Sequence, residues 1–327
     1  MPKPFQFLFV VLSLFTAASL AAQEPVRFAP GSLSMFEPDP EAGFEHPYLI
    51  YMPESAPEGG STYMLVEPNN TGKPSDDFEE HVSAAKHLAG KNSVGHLVSR
   101  ELGVPLLVPI FPRPMADWKM YTHALDVETI HAGAGPLERL DLQLIAMIDD
   151  ARSRLNAQSY EVHEQFLMTG FSASGTFINR FVALHPHRVR ALAAGGFNSV
   201  LFLPAKKLDG YEIKFPIGTS DYKSITGREF DLDAVNRVPQ LYFMGEHDTN
   251  DAVQFDDGYN ADEREAIYAI LGEQIQPERW QNCQRVCREL GLEAQYFTAE
   301  DIGHGTDRRV IDIIVEFLRP ETETPAG

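Results

Sequence analysis

Ser172 lies in the stretch Leu167-Met168-Thr169-Gly170-Phe171-Ser172-Ala173-Ser174-Gly175, with apolar residues before it and a helical pattern after it. A serine flanked at two residues on each side by Gly170 and Ser174 fits a sharp strand-to-helix turn. Small neighbours are required there because the backbone is strained and packs closely against adjacent chain. The turn holds the Ser172 hydroxyl in the open, above the first N–H groups of the next helix, and the chemistry implied is nucleophilic attack. Ser174 would face into the first helical turn instead.

A hydroxyl is a weak nucleophile at neutral pH and needs a base within hydrogen-bond reach. Histidine suits the task because its pKa lies near working pH. Among eleven histidines, His304 is set apart by Asp301-Ile302-Gly303-His304-Gly305, where flanking glycines let a loop present the imidazole at a strand end. A carboxylate must then fix the imidazole tautomer and stabilise the imidazolium. Leu241-Tyr242-Phe243-Met244-Gly245-Glu246-His247-Asp248 reads as a strand, a glycine turn and an acid. Asp248 is the acid chosen, Asp251 is its competitor, and Glu246 lies too close to the strand. The rival reading makes Asp248 a loop or helix cap and His304 a surface histidine in a turn.

The elements that must position these residues alternate along the chain. Short apolar runs bounded by turn residues read as strands over Tyr48 to Tyr51, Tyr63 to Val66, Pro105 to Phe111, Gln165 to Thr169, Ala191 to Ala194, Gln240 to Met244 and Ala294 to Phe297. Helices are expected over 77–88, 94–102, 137–155, 176–184, 278–290 and 307–318. Residues 24–46 read as an extended lead-in, 112–135 as a long loop, and 253–277 as a small acidic insertion able to cover part of a site. Alternation of this kind predicts an α/β fold, with a mostly parallel central sheet flanked by helices on both faces. Active sites of such sheets lie outside the carboxyl ends of the strands. Ser172, Asp248 and His304 all fall in those loops.

Composition narrows the class. The formal charge of −20 gives no electrostatic footprint for DNA or RNA, and the bland reading is a solubilising acidic surface. Lys3, the mostly apolar run from Phe5 to Leu20 and the small-x-small Ser19-Leu20-Ala21 match a cleaved signal peptide over 1–21. The run is too short and badly flanked for a transmembrane helix. The expected mature chain is thus one domain over 22–327, secreted or periplasmic, without stable membrane insertion. Cys283 and Cys287, the only cysteines, lie four apart on an expected helix, in poor geometry for a disulfide, and too few ligands surround them for zinc. No dinucleotide, P-loop or calcium-loop spacing is present.

The chain order of nucleophile, acid and histidine resembles that of the α/β-hydrolase fold. The elbow followed by Phe177-Ile178-Asn179-Arg180-Phe181-Val182-Ala183-Leu184-His185-Pro186 is similar to the nucleophile helix of many esterases with that fold. The resemblance runs from about Tyr48 to Leu318 and is finest with exported esterases of the polyhydroxybutyrate-depolymerase and dienelactone-hydrolase type. Two departures stand out: Ser174 replaces the usual glycine, and Pro68-Asn69-Asn70 replaces the usual His-Gly pair. The resemblance implies an oxyanion hole made by the N–H of Ala173 and by Asn69 or Asn70, with Asn70 preferred. An ordinary Asn-Asn turn is the alternative. Trp118 and Tyr121, with His123, are candidate pocket residues, although packing of their own loop would explain them equally well.

The implied activity is hydrolysis of a carboxylic ester through an acyl-enzyme on Ser172. It needs no metal or other cofactor, and the partner is a small-molecule or polymeric ester. A peptidase of the prolyl-oligopeptidase type shares the scaffold but usually carries a further large domain. A non-catalytic binding protein built on the same scaffold is the rival from another class.

Overall fold

The computed structural model describes residues 26–57 and 59–323; the expected leader over 1–21 lies outside the described residues. Eight strands form the main sheet: β1 (Leu33–Phe36), β2 (Tyr48–Tyr51), β3 (Leu65–Val66), β4 (Leu106–Pro109), β5 (Phe166–Phe171), β6 (Val189–Gly195), β7 (Gln240–Gly245) and β8 (Gln295–Ala299). Their order is β1-β2-β4-β3-β5-β6-β7-β8. β2 runs antiparallel to β1 and β4, and every pairing from β4 to β8 is parallel.

Period-2 alternation sends successive side chains to opposite faces of the sheet. Ile50, Val66, Leu107, Met168, Leu192 and Tyr242 join one core cluster; Leu49, Leu65, Leu106, Leu167, Ala193 and Leu241 join the other. Helices cover both faces. α3 (Leu140–Asn156), α4 (Ala173–Leu184), α5 (Ala261–Leu271) and α6 (Trp280–Glu289) contribute to the first cluster. α1 (Phe78–Gly90), α2 (Val94–Leu102) and α7 (Arg308–Thr322) contribute to the second. Local signals set several helix ends. Ser93 caps α2 and accepts the His96 N–H, Gly103 closes it at φ 72°, and Asn260 with Glu263 forms a capping box at α5.

The structure adds elements that the sequence reading did not give, among them α5 within 253–277 and short helices over Tyr222–Thr226 and Leu232–Asn236. The lead-in contains β1, whose Phe36 pairs with Tyr48 and stacks on it at a ring separation of 5.1 Å. The loop 112–135 contains a short helix, Val127–Ile130, because the Asp126 carboxylate caps the Thr129 N–H. Two further short ladders join Gly60–Thr62 to Tyr160–Val162 and Lys207–Leu208 to Tyr211–Glu212. Cys283 and Cys287 are free and buried in α6. Among the described residues, no helix is long and apolar enough to cross a membrane.

Glu67, one residue past β3, is fully buried and accepts the Gly95 N–H at 3.0 Å from the first turn of α2. Burial pushes its carboxyl up to about 8, against the opposing pull of that N–H. A β-carbon on Gly95 would overlap the Glu67 carboxyl, so a glycine is needed where this acid meets the helix.

Candidate active site

Ser172 occupies the turn between β5 and α4 with φ 63° and ψ −127°, a strained conformation for a residue with a side chain. Its N–H donates to the Gly195 carbonyl at 3.0 Å and its carbonyl accepts the Thr176 N–H at 3.0 Å, so backbone on both sides holds the strain. A β-carbon on Gly170 would come within 2.6 Å of the Ser174 carbonyl oxygen. At the other end of the turn, the close approach falls on Gly175 rather than on residue 174. Ser174 is accommodated because its hydroxyl accepts the Phe171 N–H at 3.0 Å and donates to the Phe171 carbonyl at 2.9 Å. Ser174 therefore braces the turn that carries Ser172.

His304 follows β8 and Asp248 follows β7. Nδ1 of His304 lies 2.9 Å from Oδ2 and 3.1 Å from Oδ1 of Asp248, and Nε2 lies 3.0 Å from the Ser172 hydroxyl. With Nδ1 donating to the carboxylate, Nε2 is left to accept from the serine. Asp248 is fully buried, and its Oδ1 also accepts the Asn250 N–H at 2.9 Å. Asp251 is placed otherwise. Its Oδ1 pairs with the buried Arg279 guanidinium at 2.7 Å and accepts the Val253 N–H at 3.0 Å.

An open cavity of about 570 Å³ lies over Ser172 and His304. Asn70 lines it, whereas Asn69 points away and is fully buried. The Asn69 amide donates to the Phe111 carbonyl and accepts the Phe111 N–H, both at 3.0 Å. His123 does not line the cavity. It is buried behind the loop, where its Nδ1 accepts the Thr71 N–H at 3.4 Å and its Nε2 lies 3.0 Å from the Phe111 carbonyl. Burial lowers its pKa to about 3, so the ring stays neutral and able to accept at Nδ1. His81 adds a second support, with Nδ1 2.6 Å from the Thr71 hydroxyl. Ala173 is the first residue of α4, and an N–H at that position has no intrahelical acceptor.

Tyr121 lines the cavity and Trp118 does not. The loop after β4 turns Tyr121 inward, where the Arg113 guanidinium stacks 3.7 Å above its ring, while Trp118 remains 43% exposed near Lys119. Arg113 pairs with Asp257 at 2.6 Å and is itself buried. The acidic stretch 253–277 thus reaches the site through Asp257 and Phe255.

Sequence reasoning missed Arg113 and Asn250. The Asn250 carboxamide nitrogen lies 3.0 Å from His304 Nε2 and 3.4 Å from the Ser172 hydroxyl. The available signal was its place two residues after Asp248, in the same strand-end loop. Glu246, His247 and Asp301 bring one potential metal-ligating atom each within 4.8 Å of one another on the exposed side of that loop. The Glu246 carboxylate there already accepts the Asp301 N–H at 3.0 Å.

Solved structures share this arrangement of strands and helices. Poly(aspartic acid) hydrolase-1 from Sphingomonas sp. KT-1 superposes with a TM-score of 0.54 at 19% identity, over 87% of this chain and 96% of that one. LpqC, a poly(3-hydroxybutyrate) depolymerase from Bordetella parapertussis, gives 0.53 at 16% identity, over 90% and 91%. The chain has the α/β-hydrolase fold. No protein-family model matches the sequence, and no curated protein matches it either.

Proposed function

We propose that the chain is an exported serine hydrolase that cleaves carboxylic esters. The observation carrying this reading is the Ser172–His304–Asp248 relay, with separations of 3.0 and 2.9 Å and a fully buried acid. Ser172 attacks the ester carbonyl as His304 Nε2 takes its proton, and Asp248 holds the imidazole and stabilises its charged form. The oxyanion that develops is met by the Ala173 N–H and by Asn70 at the cavity wall. Each such donor contributes roughly 3–4 kcal/mol of transition-state stabilisation. His304 then protonates the leaving alcohol, and water attacks the acyl-enzyme through the same imidazole.

The ester reading draws support from the structural neighbour named as a poly(3-hydroxybutyrate) depolymerase. The neighbour named as a poly(aspartic acid) hydrolase makes amide substrates the natural comparison. Export rests on the Lys3, Phe5 to Leu20 and Ser19-Leu20-Ala21 pattern. The deciding experiment measures hydrolysis of short-chain nitrophenyl esters and of peptide amides by the wild type and by Ser172→Ala, alongside labelling with a fluorophosphonate. Ester turnover and labelling that both vanish in the variant support the reading. Undiminished turnover in Ser172→Ala rejects it.

A further inference from the structure

An acyl-enzyme on Ser172 must choose between water and any alcohol present, and the two nucleophiles differ in one respect relevant here. Water carries two O–H hydrogens and an alcohol carries one. Whichever attacks must donate one hydrogen to His304 Nε2, because that nitrogen is the base. The second hydrogen of water then needs an acceptor, and only water has this second hydrogen to place.

Asn250 stands where that acceptor is needed. Its carboxamide is 3.0 Å from His304 Nε2 and 3.4 Å from the Ser172 hydroxyl, so an oxygen bound at Nε2 falls within its reach. The residue lines the cavity, and its own N–H is tied to Asp248 Oδ1 at 2.9 Å. The loop that sets the acid therefore also sets this side chain. In the free enzyme the amide nitrogen faces the serine and histidine. A half-turn about χ2 exchanges Nδ2 for Oδ1 at the same place, and the two orientations have nearly the same shape.

We propose that Asn250 positions the hydrolytic water and biases the acyl-enzyme toward hydrolysis over transfer to alcohols, a reading that rests on the acyl-enzyme proposed above. Water donates one hydrogen to His304 Nε2 and the other to Asn250 Oδ1. Its oxygen attacks the acyl carbon as Nε2 takes the proton, giving a tetrahedral intermediate. The bond from that carbon to the Ser172 oxygen then breaks, and the proton on Nε2 passes to the serine. The carboxylic acid leaves and the free enzyme is restored. Methanol follows the same steps and gives a methyl ester, but it places no second hydrogen on Asn250.

The test is the ratio of methyl ester to free acid formed from a nitrophenyl ester in buffer containing methanol, for wild type, Asn250→Ala and Asn250→Asp. A product ratio does not depend on how much enzyme is folded, so a merely structural role leaves it unchanged. Asn250→Ala is expected to raise the ratio roughly three- to tenfold, the factor carried by one neutral hydrogen bond. Asn250→Asp keeps an acceptor oxygen and is expected to stay near the wild-type ratio. A ratio in Asn250→Ala equal to that of the wild type overturns the proposal, and so does an Asp variant that behaves like the Ala variant. Absence of ester turnover in the wild type is a different outcome, which removes the ester-hydrolase reading itself.

Discussion

Asn69 and Phe111 exchange two hydrogen bonds of 3.0 Å, one in each direction, between a side-chain amide and a backbone peptide. The carboxamide imitates a peptide unit and adds a rung to the ladder just beyond the ends of β3 and β4. The loop carrying Asn70 is fixed by this rung and by His123 and His81 behind it. Replacing Asn69 by Ala leaves the buried Phe111 N–H without its acceptor, while the Phe111 carbonyl keeps His123 Nε2 at 3.0 Å, and the expected loss of stability is about 1–3 kcal/mol. Under the proposed mechanism, in which Asn70 meets the oxyanion, kcat for esters should fall more than KM rises. Denaturant titration and steady-state kinetics check both. A variant with unchanged stability would contradict the account.

The elbow makes a second prediction. A β-carbon at Gly175 would lie 2.6 Å from the Gly195 carbonyl oxygen, which belongs to β6 and cannot swing away as a side chain could. Gly175→Ala should therefore lower stability by about 1–3 kcal/mol and displace Ser172 enough to reduce turnover. Ser174→Gly removes both bonds to Phe171 and should cost about 1 kcal/mol. Thermal melts of the two variants separate these effects. Greater damage from the change at 174 than from the change at 175 would show that the close approach is misassigned.

These positions also show how far the sequence could be read. The meeting of Ser172, Asp248 and His304 was legible because each follows a strand and has a glycine within three residues, and the chain order added an independent constraint. The tight packing at Gly175 and the bracing role of Ser174 were not legible. Both depend on where β6 lies beside the elbow, and residue types alone do not state that. Arg113 and Asp257 are distant in sequence and meet only through the folded loops. Trp118 and Tyr121 share one loop and an aromatic character, and what turns Tyr121 inward, the Arg113 guanidinium over its ring and the Asn198 amide donating to its hydroxyl at 3.2 Å, comes from residues brought together by the fold. β1 was missed because it is only four residues long, lies between Pro30-Gly31 and Glu37-Pro38, and turns the apolar Leu33 and Met35 outward, against the usual inward pattern.

Glu67 links stability to pH. Its folded pKa of about 8 lies above the ordinary 4.5 of an exposed glutamate, so the native state holds a proton that the unfolded chain releases between those values. Stability from this group is therefore fully present below about pH 4.5 and falls as pH rises toward 8. Glu67→Gln removes the titration while keeping an acceptor for the Gly95 N–H. Denaturation midpoints at pH 5 and pH 8 should show the wild type losing more stability than the variant over that interval. Parallel behaviour of the two proteins would mean that Glu67 does not titrate in this range.

Asp248 and Asp251 are three residues apart, yet their surroundings assign them opposite duties. Asp248 is buried against the His304 ring, while Asp251 answers the Arg279 guanidinium, which is only 1% exposed and also donates to the Gly272 carbonyl at 3.1 Å. Asp248→Asn should keep the fold and lower kcat on the order of 10⁴-fold, since the amide favours the wrong imidazole tautomer. Asp251→Ala should act mainly on stability. A buried cation that loses its carboxylate is destabilised by about 3–5 kcal/mol, and the carbonyls around Arg279 place the effect at the lower end of that range. Paired measurements of kcat and of urea midpoint for both variants test the assignment directly. A large kinetic loss in Asp251→Ala with little change of midpoint would transfer the role of acid to Asp251.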